Sequence, residues 1–189
     1  MSTVADSESD FDGGAERTAR AWIALEAVPD PEIPVVSIRD LGILREIGLA
    51  DGATLEVTIT PTYSGCPAMS QIAEDIGQAL DAAGLGPWRI RTTLSPAWTT
   101  DWISDSARER LREFGIAPPQ PCGTAATTPA VRPLNFVPRA ARAGVPDTVA
   151  CPRCGSFHTK EISRFASTAC KALYRCLDCR EPFDYFKPY

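Results

Sequence analysis

Two Cys-x-x-Cys pairs near the end of the chain, Cys151/Cys154 and Cys176/Cys179, constrain what it can fold into more than any other feature. Each pair sets two sulfurs on one tight turn, and two such turns roughly twenty residues apart match a tetrahedral, all-thiolate zinc site. Pro152 and Gly155 suit the first turn. Between the pairs, residues 157–165 and 172–175 read as strands that bring the turns together. So short a piece buries too little apolar surface to fold unaided, so metal binding supplies the missing stability and the zinc is expected to be structural. The same cysteines leave a redox-active iron or iron–sulfur centre, or free thiols, as alternatives. Cys170 is either a spare buried cysteine or a partner for thiol exchange or a transferred metal, and Cys122 receives no assignment. His158 is expected to be a surface or packing residue, because four cysteines already complete the tetrahedron.

Composition narrows the chemistry. The chain begins with an acidic, small-residue stretch that lacks both the basic start and the apolar core of a targeting peptide, so a cytoplasmic location is expected, where thiols stay reduced. Seven cysteines, an odd count, fit metal binding or chemistry better than disulfides. A net charge of -5 argues against general binding to nucleic acid, although residues 150–189 carry seven Lys and Arg against four Asp and Glu. No apolar run approaches the roughly 20 residues of a membrane span. With His158 the one histidine, the chain cannot supply the paired Glu-x-x-His motifs of a di-iron oxygenase core, and it has no phosphate-binding or ferredoxin-type motif.

The rest of the chain predicts an α+β protein: a small αββαβα-type N-terminal domain plus a C-terminal four-cysteine zinc ribbon. Residues 1–14 read as a disordered acidic tail. Ala21, Trp22, Leu25 and Val28 recur at helical steps, and Pro29 and Pro31 end that helix in a rigid loop through Pro34. Strands are expected at 43–49 and 53–60 around an Asp51-Gly52 hairpin turn. A helix follows over 67–83 with Gly84 at its end, then a strand at 88–94 and a helix over 104–114 ended by Gly115. This places the first domain at 15–116, a Pro/Ala/Thr-rich linker at 117–149 with an isolated apolar patch at Leu134, Phe136 and Val137, and the ribbon at 150–189.

Cys66 stands where a loop enters the second helix, with Pro67 expected at the first helical position. Amide dipoles there would stabilise a thiolate, making Cys66 a candidate reactive thiol or metal ligand, with Asp30 and Glu32 the carboxylates placed near it. The other reading is equally open at this point: Cys66 as a small apolar residue at the helix start, with both carboxylates solvated in turns.

The runs Asp30-Pro31-Glu32-Ile33-Pro34, Val36-Ser37-Ile38-Arg39-Asp40-Leu41-Gly42 and Thr62-Tyr63-Ser64-Gly65-Cys66-Pro67 resemble the small α/β domain shared by iron–sulfur cluster assembly and carrier factors. Together with the 95–102 segment, Gly115-Ile116-Ala117-Pro118-Pro119, the four-cysteine ribbon and the ending Glu181-Pro182-Phe183-Asp184-Tyr185-Phe186-Lys187, the chain from about residue 16 resembles the PaaD family, the D-type subunits of the bacterial phenylacetyl-CoA epoxidase. The resemblance implies an accessory subunit without activity of its own in aerobic phenylacetate degradation, where a multicomponent di-iron monooxygenase epoxidises the ring. It implies that Cys66 handles iron or a transient iron–sulfur cluster, with Asp30, Glu32 and Thr62 shaping its pocket, to mature the metal centres of partner subunits. The implied partners are the other epoxidase subunits and the iron–sulfur assembly machinery, and a homodimer is left open. The alternative is a purely structural interaction subunit that stabilises the oxygenase complex.

Overall fold

The computed structural model describes residues 7–119 and 149–189. The expected patch around Leu134, Cys122 and most of the expected linker lie outside the described residues. The first helix, α1 (Ser7–Glu26), begins inside the segment expected to be a disordered tail. A serine followed by acidic positions is a helix-start pattern, and Gly13 and Gly14 cost about 1 kcal/mol each without ending the helix. Gly14 also lets α1 approach the sheet, since a Cβ there would stand 2.7 Å from Leu49 Cδ1.

The chain then folds through β1 (Leu44–Ala50), β2 (Thr54–Ile59), α2 (Met69–Ala82), β3 (Trp88–Thr92), a 3-10 turn (Thr100–Trp102) and α3 (Asp105–Phe114). The sheet has the order β1-β2-β3, with β1 and β2 antiparallel and β3 parallel to β2. As the alternation predicts, Leu55, Val57 and Ile59 of the central strand are fully buried against Ile72, Ile76 and Leu80 of α2. At Gly42 the backbone has φ +69° and a Cβ would meet Trp102 Cβ at 2.6 Å, so glycine is required there on both counts.

The ribbon has more sheet than its sequence predicts. A two-residue strand β4 (Ile116–Ala117) joins β5 (Thr159–Ser163) and β6 (Lys171–Cys176), and a further strand β7 (Pro182–Phe186) lies between them and β4. The order is β4-β7-β6-β5, with Ile116 opposite Asp184 and Ala117 opposite Tyr185 in parallel register. The boundary expected between 116 and 117 therefore runs through a strand that belongs to the ribbon's sheet. The two modules also share a core: Cys170 and Phe186 of the ribbon belong to the main apolar cluster of the first domain. Trp98 covers this junction, with ring centroids 6.0 Å from Phe186 and 6.3 Å from Tyr189 and its indole N–H donating to Leu41 O at 2.9 Å. The ribbon's own core is small, built on Val149, Ala172, Tyr174, Phe183 and Tyr185 around Cys151 and Cys176.

Candidate metal centre and thiol junction

Cys151, Cys154, Cys176 and Cys179 converge, with all four sulfurs within 4.8 Å of one another. Cys151 Sγ lies 3.8 Å from Cys179 Sγ, and Cys154 Sγ 3.6 Å from Cys176 Sγ. A tetrahedron with Zn–S bonds of about 2.3 Å has edges of about 3.8 Å, so the donor set fits zinc in size as well as in chemistry. Each pair sits on a knuckle: Gly155 N donates to Cys151 O at 2.9 Å with Gly155 at φ +75°, and Cys179 N points at Cys176 Sγ at 3.5 Å. Ser156 and His158 tie the knuckles to each other. Ser156 Oγ and His158 Nδ1 both bond the Asp178 carboxylate, the latter at 3.0 Å, and His158 O accepts from Leu177 N at 2.8 Å. His158 thus braces the ribbon from its surface.

The second group of functional side chains lies where the modules meet. Asp30, only 6% exposed, caps its own loop, its Oδ1 accepting from Glu32 N at 2.9 Å and Ile33 N at 2.8 Å. Burial raises its carboxyl above the ordinary range despite these amides and the nearby Lys171. Glu32 is raised as well, by burial and then by Asp30, with Lys171 opposing. Thr62 is buried, and its hydroxyl acts on the Cys66 thiol, lowering its proton affinity. The structure therefore gathers Asp30, Glu32, Thr62 and Cys66 in one place.

It differs from the sequence-based expectation in how Cys66 is held. The helix starts later, at Met69 with Ala68 as its N-cap, and Cys66 closes a turn in which its N–H donates to Tyr63 O at 3.1 Å. Pro67 is accordingly ahead of the helix. Burial pushes the Cys66 thiol up, the Ala68 amide and the Thr62 hydroxyl pull it back, and Glu32 and Asp30 push it further up. At this turn burial and the two carboxylates outweigh the amide and the hydroxyl, so the thiol's proton affinity is raised where a helix dipole would lower it.

Cys170, Lys171 and Tyr189 of this junction escape the sequence reading as neighbours of Cys66, and Tyr63, in the same run as Cys66, is given no role by it. Cys170 is buried and its Sγ lies 3.0 Å from Thr168 Oγ1. Lys171 is a buried ammonium paired with Asp184 at 3.3 Å. The Tyr63 phenol is pushed up to about 12 by burial and by Cys66, Cys170 and Glu32. Tyr189 reaches back to donate to Ala169 O at 3.3 Å, and with Thr62, Tyr63 and Trp98 it lines a cavity of about 350 Å³. Thr60 also lines it, and its buried hydroxyl has no partner among the described residues. No pattern of spacing connects the 168–171 turn to Cys66; only the docking of the modules does.

Comparison with known proteins accounts for this two-part layout. A protein of Escherichia coli (strain K12), named as the putative D-type subunit of a 1,2-phenylacetyl-CoA epoxidase, is 48% identical over 166 residues, covering 88% of this chain and 90% of its own. The chain belongs to the PaaD family of phenylacetyl-CoA epoxidase subunits. Residues 137–187 match the family described as PaaD zinc beta ribbon domain, in agreement with the four converging sulfurs. Residues 18–86 of the chain match the family described as iron-sulfur cluster assembly protein. Proteins named Fe-S protein maturation auxiliary factor from Porphyromonas gingivalis (strain ATCC BAA-308 / W83) and Bacillus subtilis (strain 168) are 34% and 32% identical to it. They match 46% and 47% of this chain and 83% and 86% of their own length. Both kinds of relative support an accessory role. Among the described residues no helix is long and apolar enough to cross a membrane.

Proposed function

We propose that the chain is an accessory subunit of a phenylacetyl-CoA epoxidase that holds iron, alone or in a transient iron–sulfur cluster, on Cys66 and passes it to partner subunits of the oxygenase, working alongside the iron–sulfur assembly machinery. The observation that carries this reading is the grouping of a half-buried thiol with two carboxylates of raised proton affinity in the domain related to iron–sulfur assembly proteins. A thiol binds a soft cation only as thiolate, so Cys66 must lose its proton as the cation arrives. Glu32, raised and only partly buried, suits the relay of that proton to solvent. Asp30 is fixed by two amides and presents negative charge to the cation without moving. The ribbon holds zinc structurally and presents exposed Phe157 and Leu177 beside its knuckles as a docking surface for the client.

A purely structural interaction subunit is the second reading, favoured by the elevated Cys66 thiol and by its packing against the apolar core. Co-expression of the full chain or its Cys66→Ala variant with the remaining oxygenase subunits separates the two. Loss of iron from the oxygenase with undiminished complex formation is the result expected of iron delivery. Full iron content and turnover with Cys66→Ala would leave only the structural role.

A further inference from the structure

β2 sends alternate side chains to opposite faces of its sheet: Leu55, Val57 and Ile59 enter the core, and Thr54, Glu56 and Thr58 take the other side. Along that polar row β3 supplies partners. Arg89 and Arg91 pair with the Glu56 carboxylate at 2.7 and 3.2 Å, and Arg91 donates to Thr58 Oγ1 at 3.2 Å. Thr60 continues the row, its N–H donating to Ile43 O at 2.9 Å, but the register with β3 stops one residue earlier, at Ile59 opposite Thr92. The row therefore loses its partner strand at Thr60. The residue is nevertheless only 1% exposed, and its hydroxyl has no partner among the described residues.

A buried hydroxyl left unmet is costly, and valine would fill the same shape without that cost. Folding alone gives no reason for threonine here. What Thr60 borders is the cavity of about 350 Å³, walled by the rings of Tyr63, Trp98 and Tyr189 and by Pro61, Leu94 and Ala97. No charged side chain lines it. Trp98 is held in place by its indole N–H on Leu41 O and by Phe186, and its ring meets that of Tyr189 at 63°. Such an aromatic corner offers a further ring the edge-to-face contacts that aromatic groups prefer. Leu94 and Ala97 are exposed and mark the mouth. A mainly apolar cavity with a few placed polar groups is the form of small-molecule sites, and its size is at the low end of their range of about 300–1,000 Å³. One water would answer the hydroxyl and leave the aromatic walls unexplained.

We propose that this cavity binds a neutral, single aromatic ring carrying one hydrogen-bonding group, which Thr60 Oγ1 meets while Tyr63, Trp98 and Tyr189 enclose the ring. A threonine hydroxyl both donates and accepts, so a phenol or an amine on the ring serves equally. An ion does not suit walls without charge. The ring is either that of a free small molecule or that of a partner's tyrosine side chain. The site is independent of iron at Cys66, because no cysteine lines it.

The test titrates the full, zinc-loaded chain with p-cresol, with 4-methylcyclohexanol as its saturated counterpart, and with N-acetyl-tyrosinamide. Calorimetry gives affinity, and nuclear Overhauser contacts locate the ring. Wild type is compared with Thr60→Val, Thr60→Ser and Ala97→Phe. Saturable p-cresol binding with contacts to the Trp98 indole is expected, and weaker binding of the saturated alcohol. Thr60→Val should weaken p-cresol roughly two- to tenfold, the value of one neutral hydrogen bond, and Thr60→Ser should restore it. Ala97→Phe, which fills the mouth, should abolish binding. Without ligand, Thr60→Val should raise the urea midpoint; a lowered midpoint would mean that the hydroxyl is already satisfied within the fold, against the proposal. Absence of saturable binding, equal affinity for the saturated alcohol, contacts away from Trp98, or unaltered binding in Ala97→Phe overturns it. Binding of N-acetyl-tyrosinamide as well as p-cresol supports the site with a partner's side chain as the source, and binding of p-cresol alone supports it with a free molecule. Should Thr60→Val fail to fold, Ala97→Phe on the exposed wall and the Overhauser contacts decide.

Discussion

The ribbon and the junction both present cysteine sulfur, but they assemble it by different means. In the ribbon, four sulfurs come from two knuckles, converge within 4.8 Å, and sit over a core too small to hold them apart from a metal. At the junction, Cys66 and Cys170 come from two modules, pack in or against the larger apolar cluster of the first domain, and have thiols raised by burial and carboxylates. A site on which folding depends keeps its ion, whereas a site set in a larger apolar core can lose an ion and survive. That contrast is what a chain needs if one metal is to stay and another is to pass through.

The sharpest way to break the comparison is to remove the resident metal. Chelation of zinc, or Cys176→Ala, is expected to unfold β5–β7, because structural zinc contributes on the order of 10 kcal/mol to domains of this size. The first domain should keep its helical signal, and far-UV circular dichroism for the helices, near-UV for the ribbon's aromatics and zinc analysis would show the two responses separately. A ribbon that keeps its aromatic signal without zinc would make the sites alike.

Next in size is the seam itself. Phe186 is 1% exposed and lies in the first domain's core, so Phe186→Ala should cost about 3–5 kcal/mol in urea unfolding. It should free Cys170 for alkylation while zinc stays bound, because the knuckles do not depend on Phe186. Lys171→Met strikes the seam through charge. Its side chain is 6% exposed and its partner Asp184 27%, so stranding a partly solvated carboxylate should cost roughly 2 kcal/mol, below the value for a fully buried pair. Replacing Asp184 by Asn in the same chain should recover much of that loss.

The junction and the α3 end of the first domain should also part company with pH. Asp30 is raised when folded, so the native state binds the extra proton and stability falls as pH rises from its ordinary value of 3.8 through the raised one. Asp40 has the opposite sign. Although burial works against it, the Ser37 amide and hydroxyl and Arg110 at 2.7 Å hold its carboxyl low, so its contribution is present above 3.8 and lost as pH falls through the lowered value. Asp30→Asn should flatten the loss of stability toward neutral pH, and Asp40→Asn should destabilise at neutral pH but not in acid. Denaturant melts of both variants across this range would expose a mistaken sign.

How much of this is legible in the sequence depends on whether the information is local. The knuckles are written in two short spacings, and the β1–β2 hairpin in Asp51-Gly52 between alternating strands. β7 escapes notice although Phe183 and Tyr185 alternate with Asp184, because Pro182 and the charged flanks mask a five-residue strand. Cys66 stands out for its place before a helix, and Glu32 and Asp30 are the carboxylates the sequence sets near it, but its thiol is governed first by burial, which no local spacing reveals. Cys170 is invisible as a neighbour of Cys66 because only tertiary docking brings it there.

The smallest expected effect tests how closely the ribbon is seated. Gly115 ends α3 with φ +96° and leads directly into β4, the strand by which the first domain enters the ribbon's sheet. Gly115→Ala should cost about 1–2 kcal/mol for the left-handed backbone alone. A Cβ there would also stand 3.3 Å from Arg153 Nη2, beside the first zinc knuckle, but a long surface side chain gives way at little cost. The added methyl should therefore lower the urea midpoint slightly and leave zinc affinity unchanged. If zinc affinity also falls, the strain travels through Arg153 to Cys154, and the resident metal site is less insulated from the first domain than the small cluster around its knuckles implies.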